Sequence, residues 1–169
     1  EIYQCDWSSD VCSSDLLLQT LPDLPVAQRE AAAARFLARS VHRLDDSSQN
    51  EIRREVLAVL SHAEWAPLFG EGSVAEAPVV GRVGNRILSG QIDRLLVTGD
   101  QVRIVDYKTN RPPPLKAEET PTIYLRQMAA YRAALSALYP RRSVRCALLW
   151  TDGPRLMELP EQLLNPLAP

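Results

Sequence analysis

The sequence predicts a mixed α/β fold, a central sheet of mixed strand direction flanked by helices. Three observations predict it. Apolar residues recur at helical spacing through the first third and again after Thr120, they alternate with polar ones through the middle, and two short β-rich runs follow Pro140. The expected order is two helical segments, a β-meander, a helix and two strands.

The elements follow in order. Leu17-Leu18-Gln19-Thr20-Leu21-Pro22 starts as a short helical turn, breaks at Pro22 and Pro25, and gives way to an Ala-rich helix. Asp45 to Ser48 reads as a turn, with Ser48 and Glu51 as a capping box for a helix running to about Ser61. Trp65, Leu68 and Phe69 form an apolar plug before Gly70. Ala75 to Val80 reads as a strand, and Pro78 assigns it to an edge or a bulge. Gly81 to Asn85 turns the chain into a long strand. Asn110-Arg111-Pro112-Pro113-Pro114 is an extended linker. A helix then starts at Thr120-Pro121 and is stopped by Pro140. Val144 to Trp150 is a buried strand, and a turn over 151–154 leads to the last strand, Arg155 to Leu159.

Residues 89 to 110, SGQIDRLLVTGDQVRIVDYKTN, carry the functional signal. Thr98-Gly99-Asp100-Gln101 has the chemistry of a tight hairpin turn. A loop centred on Gly99-Asp100 pairs Val97 with Val102, Leu95 with Ile104, Asp93 with Asp106 and Gln91 with Lys108. Strand alternation then puts all eight side chains on one face. Opposed carboxylates repel, and a divalent cation with hard oxygen ligands would remove that penalty. Lys108 points the same way, where an attacking water or a phosphoryl oxygen would sit. On the following helix Gln127 and Tyr131 share a face, with Tyr124 one turn earlier. These groups either touch a nucleic acid, orient Lys108, or cap the edge of the core.

Composition bounds the remaining classes. The chain has 169 residues, 46% hydrophobic and 24% charged, enough for one domain with a sizeable core. No apolar run reaches the ~20 residues that span a bilayer. A net charge of −2 argues against a wholly basic nucleic-acid coat but leaves room for a metal-mediated phosphate contact. Cys5, Cys12 and Cys146 show neither zinc spacing nor a disulfide framework, which fits a reducing cytoplasm. No Gly-x-x-x-x-Gly-Lys-Ser/Thr loop is present, so no ATP site is expected. The Ser/Asp-rich start, EIYQCDWSSDVCSSDL, matches nothing downstream and resembles translated adapter sequence. Residues 1–16 are therefore expected to be a non-native or disordered leader, and 17–169 the domain, a C-terminal fragment of a larger chain.

Gly90-Gln91-Ile92-Asp93-Arg94, Ile104-Val105-Asp106-Tyr107-Lys108-Thr109 and Gln127-x-x-x-Tyr131, in that order, resemble the RecB-type branch of the PD-(D/E)xK nucleases. The wording "GQIDRLLV", "VDYKTNRPPP", "YLRQMAAYRAAL" and "CALLWTDGPRL" is similar to the nuclease domains of AddA-type helicase–nucleases, over about Leu17 to Leu164. The resemblance implies a PD-(D/E)xK-like sheet flanked by helices and Mg²⁺-dependent exonuclease action on DNA in double-strand-break repair, with Mn²⁺ as a substitute. It implies that Asp93, Asp106 and the main-chain carbonyl of Tyr107 hold the metal, and that Lys108 acts on the water and the scissile phosphate. Gln127, Tyr131 and Tyr124 would support the site and contact DNA, and Glu76 would be an additional acid. The implied partners are DNA, an AddB-like subunit and the helicase part of the same protein. A competing expectation is a catalytically impaired module of the same fold that binds DNA or that subunit.

One feature departs from the pattern. The branch carries a metal-binding histidine on an early helix, just before a segment like Leu17–Pro22; here Val11-Cys12-Ser13-Ser14-Asp15 precedes it. His42 and His62 have no matching context. The four cysteines of iron–sulfur relatives are absent, which favours an AddA-type over an AddB-type chain.

Overall fold

A computed structural model describes residues 13–169 and the backbone of Ile2–Gln4. Of the expected leader, Ile2–Gln4 forms strand β1 and Ser13 onward belongs to helix α1 (Ser13–Thr20). Cys5 and Cys12 lie outside the described residues.

The fold is a mixed sheet flanked by helices, as expected. Strands β2 (Ser73–Val83), β3 (Arg86–Val97) and β4 (Gln101–Lys108) form an antiparallel meander. Strand β5 (Ser143–Trp150) pairs parallel with β4, and β6 (Arg155–Leu159) pairs antiparallel with β5. β1 pairs parallel with β3 at Ile87–Ser89, beyond the reach of β4's ladder. β2 lies at an edge, which is where Pro78 can sit without a missing ladder donor. The turn between β2 and β3 is tighter than expected: strand pairing persists to Val83 and Arg86, and Gly84, at a φ of 57°, takes the left-handed corner.

Helix α4 (Thr122–Leu138) crosses from β4 to β5 over one face. It buries Leu125, Met128 and Leu135 against Ile92, Ile104 and Leu148. On the other face lie α1, α2 (Val26–Leu37) and α3 (Asp46–Ser61). Leu17, Leu18, Val56 and Val59 close there over Val105, Ala147 and Leu149, with Trp65 and Leu68 as the expected plug. The cap of α3 differs from expectation. Asp45, not Ser48, is the N-cap, and its carboxylate accepts from the Ser48 N–H at 2.7 Å. Two polar residues three apart could each have served, and the aspartate starts the helix about a turn earlier. Short α5 (Glu161–Leu164) ends the fold. Among the described residues no helix is long and apolar enough to cross a membrane.

Arg94 ties the two layers together. Pro22 has no N–H, so the Leu18 carbonyl of α1 lacks its helical donor. Arg94, only 4% exposed, supplies one at 2.6 Å through Nη2. Its Nε donates to the Tyr107 hydroxyl at 3.2 Å, and its guanidinium lies 5.1 Å from the Phe69 ring centre. Arg94→Leu would strand two buried acceptors at roughly 1–3 kcal/mol each. We therefore expect the urea midpoint to fall by the equivalent of about 2–4 kcal/mol; an unchanged midpoint would count against this role.

Candidate active site

The hairpin register is the expected one where the strands are paired: Val97 faces Val102, Leu95 faces Ile104, and Arg94 faces Val105. There the β3–β4 ladder stops. The cause is Asp93, whose Oδ2 accepts the Tyr107 N–H at 2.6 Å. A side chain takes a main-chain donor, so the strands part at the row where the acids meet. The expectation of eight side chains on one face is corrected accordingly. Ile92 and Leu95 both pack on the α4 side while Arg94 points the other way, so strict alternation is interrupted around Asp93. Gln91 does not face Lys108; it pairs with Pro78 of β2, and Lys108 pairs with Trp150 of β5.

Asp93 and Asp106 are nevertheless brought together. Burial, and then the Asp106 charge, hold the Asp93 carboxyl well above the ordinary carboxylate range. Asp15, on α1 in the stretch before Leu17 where the resemblance implies a histidine, adds a smaller push in the same direction. Asp106 is 2% exposed and is ion-paired with Lys108. Burial alone would lower the Lys108 ammonium, but the Asp106 and Asp93 carboxylates outweigh it and hold it above its usual value. Lys108 is thus a fixed positive charge rather than a base awaiting a proton. Its Nζ sits 4.4 Å from the centre of the Tyr124 ring, whose hydroxyl donates to Asn110 Oδ1 at 3.0 Å. The side chain of Lys108 is 14% exposed.

The helix residues fall into place behind this row. Gln127 Nε2 donates to the Tyr131 hydroxyl at 3.5 Å. That hydroxyl donates to the Gln91 carbonyl at 2.9 Å and accepts the Gln91 N–H at 3.2 Å. Tyr131 is 1% exposed, which makes it a support of the sheet. Glu76 sits between the Ala75–Arg94 and Ala77–Ile92 pairs, level with Asp93, with its carboxylate bonded to the Gln91 amide. Sequence reasoning had not found the roles of Arg94, Asn110 and Gln91; only Arg94 left a signal, the missing N–H of Pro22 that its guanidinium replaces.

The donor set is hard oxygen, suited to Mg²⁺ or Mn²⁺ rather than to soft metals. Two carboxylates, Asp93 and Asp106, meet beside the one ammonium of Lys108, so a divalent cation fits the aspartate pair. Among the described residues no three His, Cys, Asp or Glu side chains converge as a metal cluster. The ligands available are therefore the two aspartates and main-chain oxygen, with Glu76 drawn onto Gln91.

The chain matches the family described as the PD-(D/E)XK nuclease superfamily over residues 3–162. No curated protein matches it. Among solved structures it is similar to a protein from Eubacterium rectale named as a candidate exonuclease, with a TM-score of 0.55 and 10% identity. That likeness, which is one of fold, covers 94% of this chain and 63% of the other, so the chain spans under two thirds of its neighbour's length. A second structure, SSO0001, aligns at a TM-score of 0.39 and 13% identity over 90% of this chain and 70% of that one, too distant to bear on the fold.

Proposed function

The chain belongs to the PD-(D/E)XK nuclease superfamily, and from that premise we propose that it is the metal-dependent DNase domain of an AddA-like helicase–nuclease. The reading rests on one observation above all: a lysine with little exposure ion-paired to a buried aspartate, beside a second aspartate. Asp93 and Asp106, with the Tyr107 main-chain carbonyl, would hold Mg²⁺ or Mn²⁺. The cation supplies an activated water and a Lewis acid for the phosphate oxygens. Lys108, kept protonated, hydrogen-bonds the non-bridging phosphate oxygen and stabilises the charge that grows there as water attacks and the P–O bond breaks. Tyr124 and Asn110 keep its ammonium aimed. Single-stranded DNA delivered by a helicase, an AddB-like partner and a role in break repair belong to the same proposal.

A second reading, a module of this fold that grips DNA without cutting it, draws support from the lack of a third convergent ligand among the described residues. Cleavage of end-labelled single-stranded DNA decides between the two. We expect shortening with Mg²⁺ or Mn²⁺ and none with EDTA. Binding without metal-dependent cleavage would replace the nuclease reading with the second.

A further inference from the structure

Three independent features meet at Gln91. Glu76 has a φ of 51°, a left-handed backbone that a residue with a long side chain seldom takes and that marks a position held by its surroundings. What holds it is Gln91, whose Nε2 donates to the Glu76 carboxylate and lies 3.4 Å from the Glu76 carbonyl. Gln91 is itself fixed. It lies between the β1 ladder, which ends at Ser89, and the β4 ladder, which begins at Arg94. Its main-chain donor and acceptor both go to the Tyr131 hydroxyl. Tyr131 can come that close only because residue 90 is glycine: a Cβ there would lie 2.6 Å from the hydroxyl.

We propose that Gln91 is a positioning residue, holding Glu76 level with Asp93 as the third carboxylate of the site. The inference rests on the metal-dependent reading above. Glu76 does not converge with the aspartates into a three-ligand cluster, so its carboxylate would accept hydrogen bonds from water on a bound cation rather than bind the cation itself. A neutral amide suits this task, because an arginine or lysine at position 91 would cancel the charge that it orients.

The test is a Mn²⁺ titration read by thermal unfolding, on wild type, Gln91→Met, Glu76→Gln, the double variant and Asp106→Asn. Loss of an outer partner typically costs 10–100-fold in metal affinity. We expect the half-saturating Mn²⁺ to rise about 10-fold in each single variant, with no further rise in the double, because both remove the same contact. An unchanged Mn²⁺ requirement in Gln91→Met, whatever happens to its metal-free melting point, overturns the inference; so does an additive double variant. If Gln91→Met does not fold, Tyr131→Phe removes only the hydroxyl and must shift the requirement in the same direction. A shift that survives in Asp106→Asn, or a wild type that shows none, sinks the metal-dependent reading itself, an outcome separate from a Gln91 variant that matches wild type.

Discussion

Lys108→Met, saturated with Mn²⁺ and verified as folded, is expected to cleave single-stranded DNA about 10²–10³-fold more slowly than wild type. The size follows from what is removed. A preorganised donor aimed at developing charge is worth about 10²–10³-fold, and proton-transfer assistance contributes about 10²–10⁴-fold where it operates. The negative neighbours hold the Lys108 ammonium above its usual value, so the loss belongs to charge stabilisation. Folding must be controlled in the same experiment. With side-chain exposures of 14% and 3%, Lys108 and Asp106 form a buried pair, and removing one partner strands the other at about 3–5 kcal/mol. Metal restores a positive charge beside Asp106, so the variant should be fragile in EDTA and recover in Mn²⁺. Near-wild-type cleavage by the folded, metal-loaded variant would remove Lys108 from the chemistry.

How far the sequence carried this reading depended on the range of each interaction. The turn at Thr98–Gln101 and the register of β3 on β4 follow from neighbouring residues, because turn chemistry and alternation are local. The order of helices and strands was legible for the same reason. The acids were legible as a pair, since register alone sets Asp93 against Asp106. What register could not show is the parting of the strands there. That depends on the Asp93 carboxylate reaching a main-chain N–H on the opposite strand, a contact that competes with the ladder it interrupts. The burial of Lys108 was equally hidden, because its cover, Tyr124, comes from a helix docked across a proline-rich linker. Glu76 was visible as an acid on an edge strand, but its backbone and its amide partner were not: a left-handed glutamate has no sequence mark. In this fold the unpredicted contacts cluster at the candidate site, where local rules give way to cross-strand ones.

Asp93→Asn should stabilise the protein in EDTA while abolishing its stabilisation by metal, a pair of opposite effects that a purely structural aspartate would not produce. The sign follows from the raised carboxyl. A group that holds its proton more tightly in the folded chain than in the unfolded one costs stability as pH climbs above the ordinary carboxylate value of 3.8, and the full cost is present once pH passes the raised folded value. Asparagine removes the charge but keeps an oxygen for the Tyr107 N–H, so the contact that parts the strands survives. Relief of a like-charge pair opposed on a sheet contributes up to about 1 kcal/mol, or about 2–4 °C in Tm for a chain of this size. The gain should shrink as pH falls through the raised value, because wild-type Asp93 then takes up its own proton. Mn²⁺ at 100 times its Kd should raise the wild-type Tm by about 5–10 °C, against little or nothing in the variant. Equal metal-induced shifts in the two proteins would place the cation elsewhere. A variant less stable than wild type in EDTA would mean that the Asp93 charge strengthens its bond to Tyr107 by more than Asp106 repels it, and the aspartate pair would then no longer be an argument for a metal.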